Sequence, residues 1–182
     1  MKDNLLSDCA AILRDGGICV HATEGVFGFA CNIGFPDAIE KITALKGRDA
    51  AASPYLVMAA SIEQASQLVS LDVPLWPDIE TSWPGPTTWV FPEKSKDYPW
   101  LGGADGSLAL RVSAHPQARE LARLAGPLVS TSANRHGSPA FESVVAAQQE
   151  FMDDVDYYLS GELQSPGQPS RIRHAVSGAW LR

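Results

Sequence analysis

The chain has 182 residues, a length that fits one compact domain spanning 1–182. Apolar residues make up 45% and charged residues 19%, ordinary globular usage that can bury a core and excludes a disordered chain. A formal net charge of −7 argues against a protein whose main work is to coat polyphosphate, because that affinity comes from Lys and Arg, so any anion site must be local.

Leu5, Leu6, Cys9, Ile12 and Leu13 recur at helical spacing and Gly16-Gly17 supplies a stop, which predicts an opening amphipathic helix. Ile18 to His21 reads as a strand, and Val26 to Ile33 as a second extended segment after the polar turn Thr23-Glu24-Gly25. Asp37 and Glu40 form a capping-box pattern ahead of Ile39, Ile42 and Leu45, in a helix ending at Lys46-Gly47-Arg48. Tyr55 to Ala59 is a short strand, and Ser61 with Gln64 repeats the capping pattern. Leu71 to Trp83 predicts one or two short helices, Trp83-Pro84-Gly85-Pro86 a rigid corner, Thr87 to Phe91 a strand, and 92–106 a long surface loop. Leu108 to Val112 is a buried strand, Pro116 to Ala125 a helix, Leu128 to Ser130 the start of another strand, and Ser143 to Met152 a helix. Val155 to Leu159 and Ala175 to Leu181 read as closing strands around the polar run 160–173. Strands and helices mixed without strict alternation predict an α/β or α+β domain, a twisted mixed sheet covered by helices.

Cys9, Cys19 and Cys31 are odd in number and form no CxxC pair, so neither a zinc site nor a disulfide framework is expected, and no metal ligands are assigned. No apolar stretch approaches the ~20 residues that cross a bilayer, and the N-terminus has no signal-like core. A soluble, cytoplasmic protein with no membrane partner is the expectation.

Four polar segments interrupt apolar strands, where scaffolds expose binding groups. In the first, 21–28, Thr23 offers a hydroxyl beside glycines that allow close approach, or the segment is an ordinary tight turn. In the second, Lys46 and Arg48 either complement a helix dipole or clamp phosphates at a phosphoryl centre. In the third, alternation sends Ser107, Ala109 and Arg111 to one strand face; an Arg there pairs with an acid or binds a ligand carboxylate. In the fourth, Ser130-Thr131-Ser132-Ala133-Asn134 suits phosphate, ribose or amino-acid recognition, or is a generic polar turn. No GxSxG elbow, GxxxxGK[ST] or GxGxxG after a strand is present, which disfavours a serine hydrolase and the standard nucleotide cradles.

In order, these segments resemble the threonylcarbamoyl-AMP synthase family with its YrdC-like domain. The markers are Ala22-Thr23-Glu24 with Phe27-Gly28, Lys46-x-Arg48, Trp83-Pro84-Gly85-Pro86-Thr87, Ser107 to Arg111, Ser130 to Asn134, and Pro169-Ser170 before Leu181-Arg182. The resemblance implies a YrdC-like fold with a concave, positively lined surface. It also implies a reaction in which carbamoylated L-threonine, made with bicarbonate, attacks the α-phosphate of ATP and releases pyrophosphate, with Mg2+ accompanying the nucleotide. Carried over by position, Thr23, Arg111, Ser130 and Ser170 contact threonine, while Lys46, Arg48, Ser107, Ser132, Asn134 and Arg182 face ATP, Lys46 and Arg48 taking the catalytic role. Downstream proteins would use the product to install threonylcarbamoyl-adenosine in tRNA.

The chain departs from the family pattern at His21-Ala22, where Tyr-Pro is usual, and at Ala52, where many members carry Lys or His. It ends at Arg182, like the short form of the family. Other readings are an RNA-binding module of tRNA or ribosome maturation that makes no adenylate, a paralogue that has lost threonine activation, and a transferase with another acceptor. Weak tRNA or RNA affinity is compatible with the first reading and with the synthase.

Overall fold

The computed structural model describes residues 2–47, 55–93, 96–103, 105–165 and 167–182, with side chains from Leu5 onward. Among these residues six α-helices surround a single sheet with strand order β7-β1-β2-β6-β3-β5-β4-β8. The strands are β1 (Ile18–Ala22), β2 (Phe27–Asn32), β3 (Leu56–Ala59), β4 (Thr87–Phe91), β5 (Leu108–Val112), β6 (Leu128–Ser132), β7 (Tyr157–Tyr158) and β8 (Arg171–His174). The helices are α1 (Lys2–Arg14), α2 (Pro36–Lys46), α3 (Ile62–Ala65), α4 (Trp76–Ser82), α5 (Pro116–Ala125) and α6 (Val144–Phe151). Pairs β1/β7, β3/β5 and β4/β8 are parallel and the other neighbours antiparallel, the mixed sheet the pattern predicted.

Period-two alternation divides the sheet into two faces. Ile18, Val20, Phe27, Phe29, Val57, Trp89, Phe91, Leu108, Leu110 and Val129 turn toward α2, α3, α4 and α6, forming the larger core. Burying one such side chain contributes about 1.5–3 kcal/mol. On the opposite face, Cys19, Ala30, Met58 and Leu128 pack under α1 and α5 through Cys9, Leu13, Leu121 and Ala125. All three cysteines are buried and free, as small hydrophobes. Burial pushes the Cys31 thiol up to about 12.

Most predicted boundaries hold within a residue or two, and three expectations need correction. The Asp37/Glu40 capping box does not form: α2 begins at Pro36, with Phe35 at the cap and no side-chain cap hydrogen bond. Proline fixes the first-turn φ and needs no N–H there, so the helix starts two residues earlier than an Asp37 cap would place it, and Asp37 sits in the first turn, facing the positive dipole end. The closing strand lies at Arg171–His174 rather than Ala175–Leu181. Its arginines disguise an alternating strand: Arg173 rests over the rings of Trp89 and Trp180, and Arg171 over Trp180. The apolar tail instead turns at Gly178 and returns to bridge Arg173 through Trp180. At the other sheet edge, the strand expected over Val155 to Leu159 is reduced to two residues.

Capping does hold at Ser61, whose hydroxyl accepts from Gln64 N at 3.2 Å, and at Ser143, which accepts from Ala146 N at 3.2 Å. At the Trp83-to-Pro86 corner the Trp83-Pro84 bond is cis, and Trp83 Nε1 donates to Thr87 O at 2.8 Å.

Candidate functional site

Helices α1 and α5 cover only part of their sheet face. The register sets Ser130 of β6 opposite Leu56 of β3, and Leu56 opposite Ala109 of β5. These residues, with Gly28, Thr88, Arg111 and Ile172 from the same face, floor an open cleft of about 750 Å³. A cleft of this size suits a small-molecule ligand.

Eight of the ten residues expected at the site line this one cleft: Thr23, Lys46, Arg111, Ser130, Ser132, Asn134, Ser170 and Arg182. They come from both ends of the chain and six separate segments, so the fold alone brings them together. Ser107 is not among the lining residues. It precedes β5, where strand alternation has not yet begun, and its Oγ and N both donate to Asp105 Oδ1, at 2.7 and 3.0 Å. Arg48 and Ala52 lie outside the described residues.

Thr23 closes the β1–β2 turn by donating its N–H and Oγ1 to Val26 O, at 3.1 and 2.7 Å. Gly28 keeps the floor low between two hydroxyl residues: a Cβ there would meet Thr131 O at 3.0 Å, with Thr23 Cγ2 and Ser130 Oγ at 3.6 and 3.7 Å. Gly25 is more constrained still, since a Cβ would fall 1.9 Å from Gln168 O. Residues 165 and 167–168 therefore lie directly on the turn, tied by Ser165 N to Glu24 O at 2.7 Å and Gly167 N to Gly25 O at 2.9 Å. This contact delivers Gln168, Pro169 and Ser170 to the cleft.

Arg111 pairs with an acid, one of the two readings left open by the sequence, and it does so at the edge of the cleft. Its Nη2 lies 3.3 Å from Glu24 Oε2 in a buried ion pair, and the side chain also lines the cleft. Glu24 is fastened behind it, Oε1 accepting from Ser113 Oγ at 2.8 Å and Ala114 N at 3.0 Å. Desolvation raises the Glu24 carboxyl, but Arg111 and these hydrogen bonds outweigh it and hold it below its ordinary value. Desolvation lowers Arg111, Glu24 raises it, and the charge of Arg182 lowers it further. Two guanidiniums thus share the cleft, and Arg111 Nε has no hydrogen-bond partner. A ligand carboxylate would supply acceptors there.

On the opposite wall, Lys46 Nζ donates to Ser132 O at 2.7 Å, Asn134 O at 3.1 Å and Asn134 Oδ1 at 3.0 Å. Asn134 Oδ1 also accepts from Ser132 Oγ at 2.6 Å, and its Nδ2 donates to Ser138 O. Arg182 Nη2 donates to Ser170 O at 3.1 Å, and Thr88 Oγ1 to Ser170 Oγ at 3.1 Å. The sequence reasoning passed over Thr88, Tyr55, His136 and Gln168, all of which line the cleft. Thr88 carried a usable signal: between the inward-facing Thr87 and Trp89, alternation sends it outward.

Beneath the site, His21 is fully buried, its Nδ1 bonded to Ala22 O at 2.9 Å and its Nε2 without a partner. Desolvation, outweighing the bond to Ala22, lowers its pKa to about 4, so the ring is neutral. Among the described residues, no three His, Cys, Asp or Glu side chains converge as a metal site.

A mixed α/β sheet that sets a buried arginine and hydroxyls facing a lysine at the end of α2 defines a cleft suited to a small anionic ligand. Residues 11–182 match the Sua5/YciO/YrdC family model, described as telomere recombination, and the chain belongs to that family. It is 41% identical over 174 residues to the threonylcarbamoyl-AMP synthase of Nitrosococcus oceani, covering 95% of this chain and 94% of that protein. It is 38% identical over 185 residues to the synthase of Pseudomonas aeruginosa, covering 100% and 99%. Among solved structures, P. abyssi Sua5 complexed with L-threonine superposes with a TM-score of 0.84 at 29% identity, over 93% of this chain. The chain spans about half of that protein, 50% of its length. E. coli YciO has the same fold, with a TM-score of 0.84 at 20% identity, over 100% of this chain and 89% of that one.

Proposed function

We propose that the chain is a threonylcarbamoyl-AMP synthase, converting L-threonine, bicarbonate and ATP to threonylcarbamoyl-adenylate and pyrophosphate. The observation that carries this reading is the single cleft in which Thr23, Arg111, Ser130 and Ser170 face Lys46, Ser132 and Asn134, with Arg182 alongside. The relatives' shared name agrees with it over nearly the whole chain.

The threonine amine takes up bicarbonate with loss of water, giving a carbamate. A carbamate oxygen attacks the α-phosphorus of ATP while the bond to the leaving pyrophosphate breaks. Arg111, braced by Glu24, holds the threonine carboxylate, and Thr23 and Ser130 bound the side-chain end. The wall that Lys46 holds in place and Arg182 set the nucleotide against it, the Arg182 charge offsetting that of the departing pyrophosphate. Mg2+ would arrive on the triphosphate and neutralise part of its charge; Glu142 is the acidic side chain among the cleft's described lining. No protein group forms a covalent intermediate.

Other proteins would consume the adenylate to modify tRNA, a role that fits a cytoplasmic enzyme. No helix among the described residues is long and apolar enough to cross a membrane. Weak RNA contact is a compatible addition: Trp180, 54% exposed, carries the guanidiniums of Arg171 and Arg173, each 5.2 Å from its ring centroid, near the cleft residue Arg182. An RNA-binding protein without synthase activity is not favoured, given what the relatives are. Incubation with isotopically labelled bicarbonate, ATP, Mg2+ and threonine should place the label in an adenylate seen by mass spectrometry. An unlabelled nucleotide pool, from folded protein, would sink the proposal.

A further inference from the structure

Lys46 and His136 share one wall of the cleft and are not equally available to a ligand. An ammonium has three N–H donors. Those of Lys46 already face Ser132 O, Asn134 O and Asn134 Oδ1 within 3.1 Å. Lys46 thereby ties the end of α2 to the loop after β6. His136 is carried by that same loop: its N–H donates to Lys46 O at 2.7 Å, Gly137 follows at φ +80, and Ser138 N returns to Arg135 O at 3.0 Å. The side chain of His136 is exposed, and its ring makes no hydrogen bond or ion pair among the described residues.

We infer that His136 contacts the nucleotide directly, its ring N–H donating to a phosphate oxygen, while Lys46 acts chiefly as the positioning residue that holds the loop presenting it. An imidazole keeps at least one N–H donor whether or not it is protonated, so the contact survives across the neutral range. A donor to an ionised phosphate is stronger than a neutral pair, though exposure to solvent reduces its effect. The inference rests on the synthase reading.

The test uses the whole chain and two readouts: calorimetric affinity for α,β-methylene-ATP, which cannot release pyrophosphate, and the KM values for ATP and threonine in pyrophosphate release. For His136→Ala, affinity should fall and the KM for ATP rise by roughly fivefold to tenfold, with the threonine KM and the melting temperature unchanged. His136→Gln, which keeps an N–H donor, should recover part of the loss. Lys46→Met should lower the melting temperature as well, because the loop loses its anchor. If His136→Ala leaves both nucleotide readouts within twofold of wild type in an active enzyme, His136 does not touch the phosphates and the inference fails alone. A wild type that neither binds the analogue nor turns over overturns the synthase reading, and this inference with it.

Discussion

Replacing Glu24 by Gln tests whether the buried pair with Arg111 organises the site. The substitution keeps the shape and an oxygen to accept from Ser113 Oγ and Ala114 N, while it removes the charge and turns an amide NH2 in place of an oxygen toward Arg111. The two side chains are 9% and 6% exposed and 3.3 Å apart, which leaves the Arg111 charge poorly compensated in the variant. Removing one partner of a buried pair costs about 3–5 kcal/mol, and because Arg111 borders the open cleft the lower end, about 3 kcal/mol, is expected. For a domain of this size that is a fall in melting temperature of roughly 6–12 °C. Urea denaturation followed by tryptophan fluorescence measures it, and Glu24→Gln with Arg111→Met should recover at least half of the loss. The contribution of Glu24 is present above its unfolded pKa and lost as pH falls through its depressed folded value, so the two proteins should converge in acid. A loss under about 1 kcal/mol at neutral pH, or no recovery in the double variant, would refute the reasoning.

His21 makes a separate acid-sensitive contribution: its stability is fully present above pH 6.5 and is lost as pH falls toward about 4, a window corresponding to ~3 kcal/mol. His21→Leu should flatten that part of the stability profile, and an unchanged slope would show that the ring is not the group responsible. Gly25→Ala forces the turn away from Gln168 O and should cost at least ~2 kcal/mol while raising the KM for threonine, read by thermal melting and kinetics. Arg182→Ala removes a cleft cation and its bonds to Ser170 O, so affinity for ATP should fall about tenfold with little change in stability. Equal affinity in the two proteins would take Arg182 out of the nucleotide site.

The sheet and most helix limits were legible because hydrophobic period and capping residues act locally: Ser61 and Ser143 cap where a short polar side chain meets the start of a helix. The error at β8 arose because arginines over tryptophan rings make a strand look like a polar loop, and this stacking depends on Trp89, far away in sequence. The site was half legible. Arg111 announced that it needed a partner, but Glu24 could be named only once β5 and the β1–β2 turn were adjacent. His136 had no readable signal, since its place on the wall comes from a backbone bond to Lys46. Ser107 was expected on the cleft face through alternation that begins one residue later.

Pyrophosphate release from ATP, with bicarbonate and Mg2+ present, tests the central claim most directly when L-threonine, L-serine and no amino acid are compared. Release that requires threonine, is weaker with serine, and collapses in Arg111→Met with the nucleotide affinity retained is the predicted result. Release indifferent to the amino acid, or none from folded protein, would contradict a cleft built to join threonine to a nucleotide.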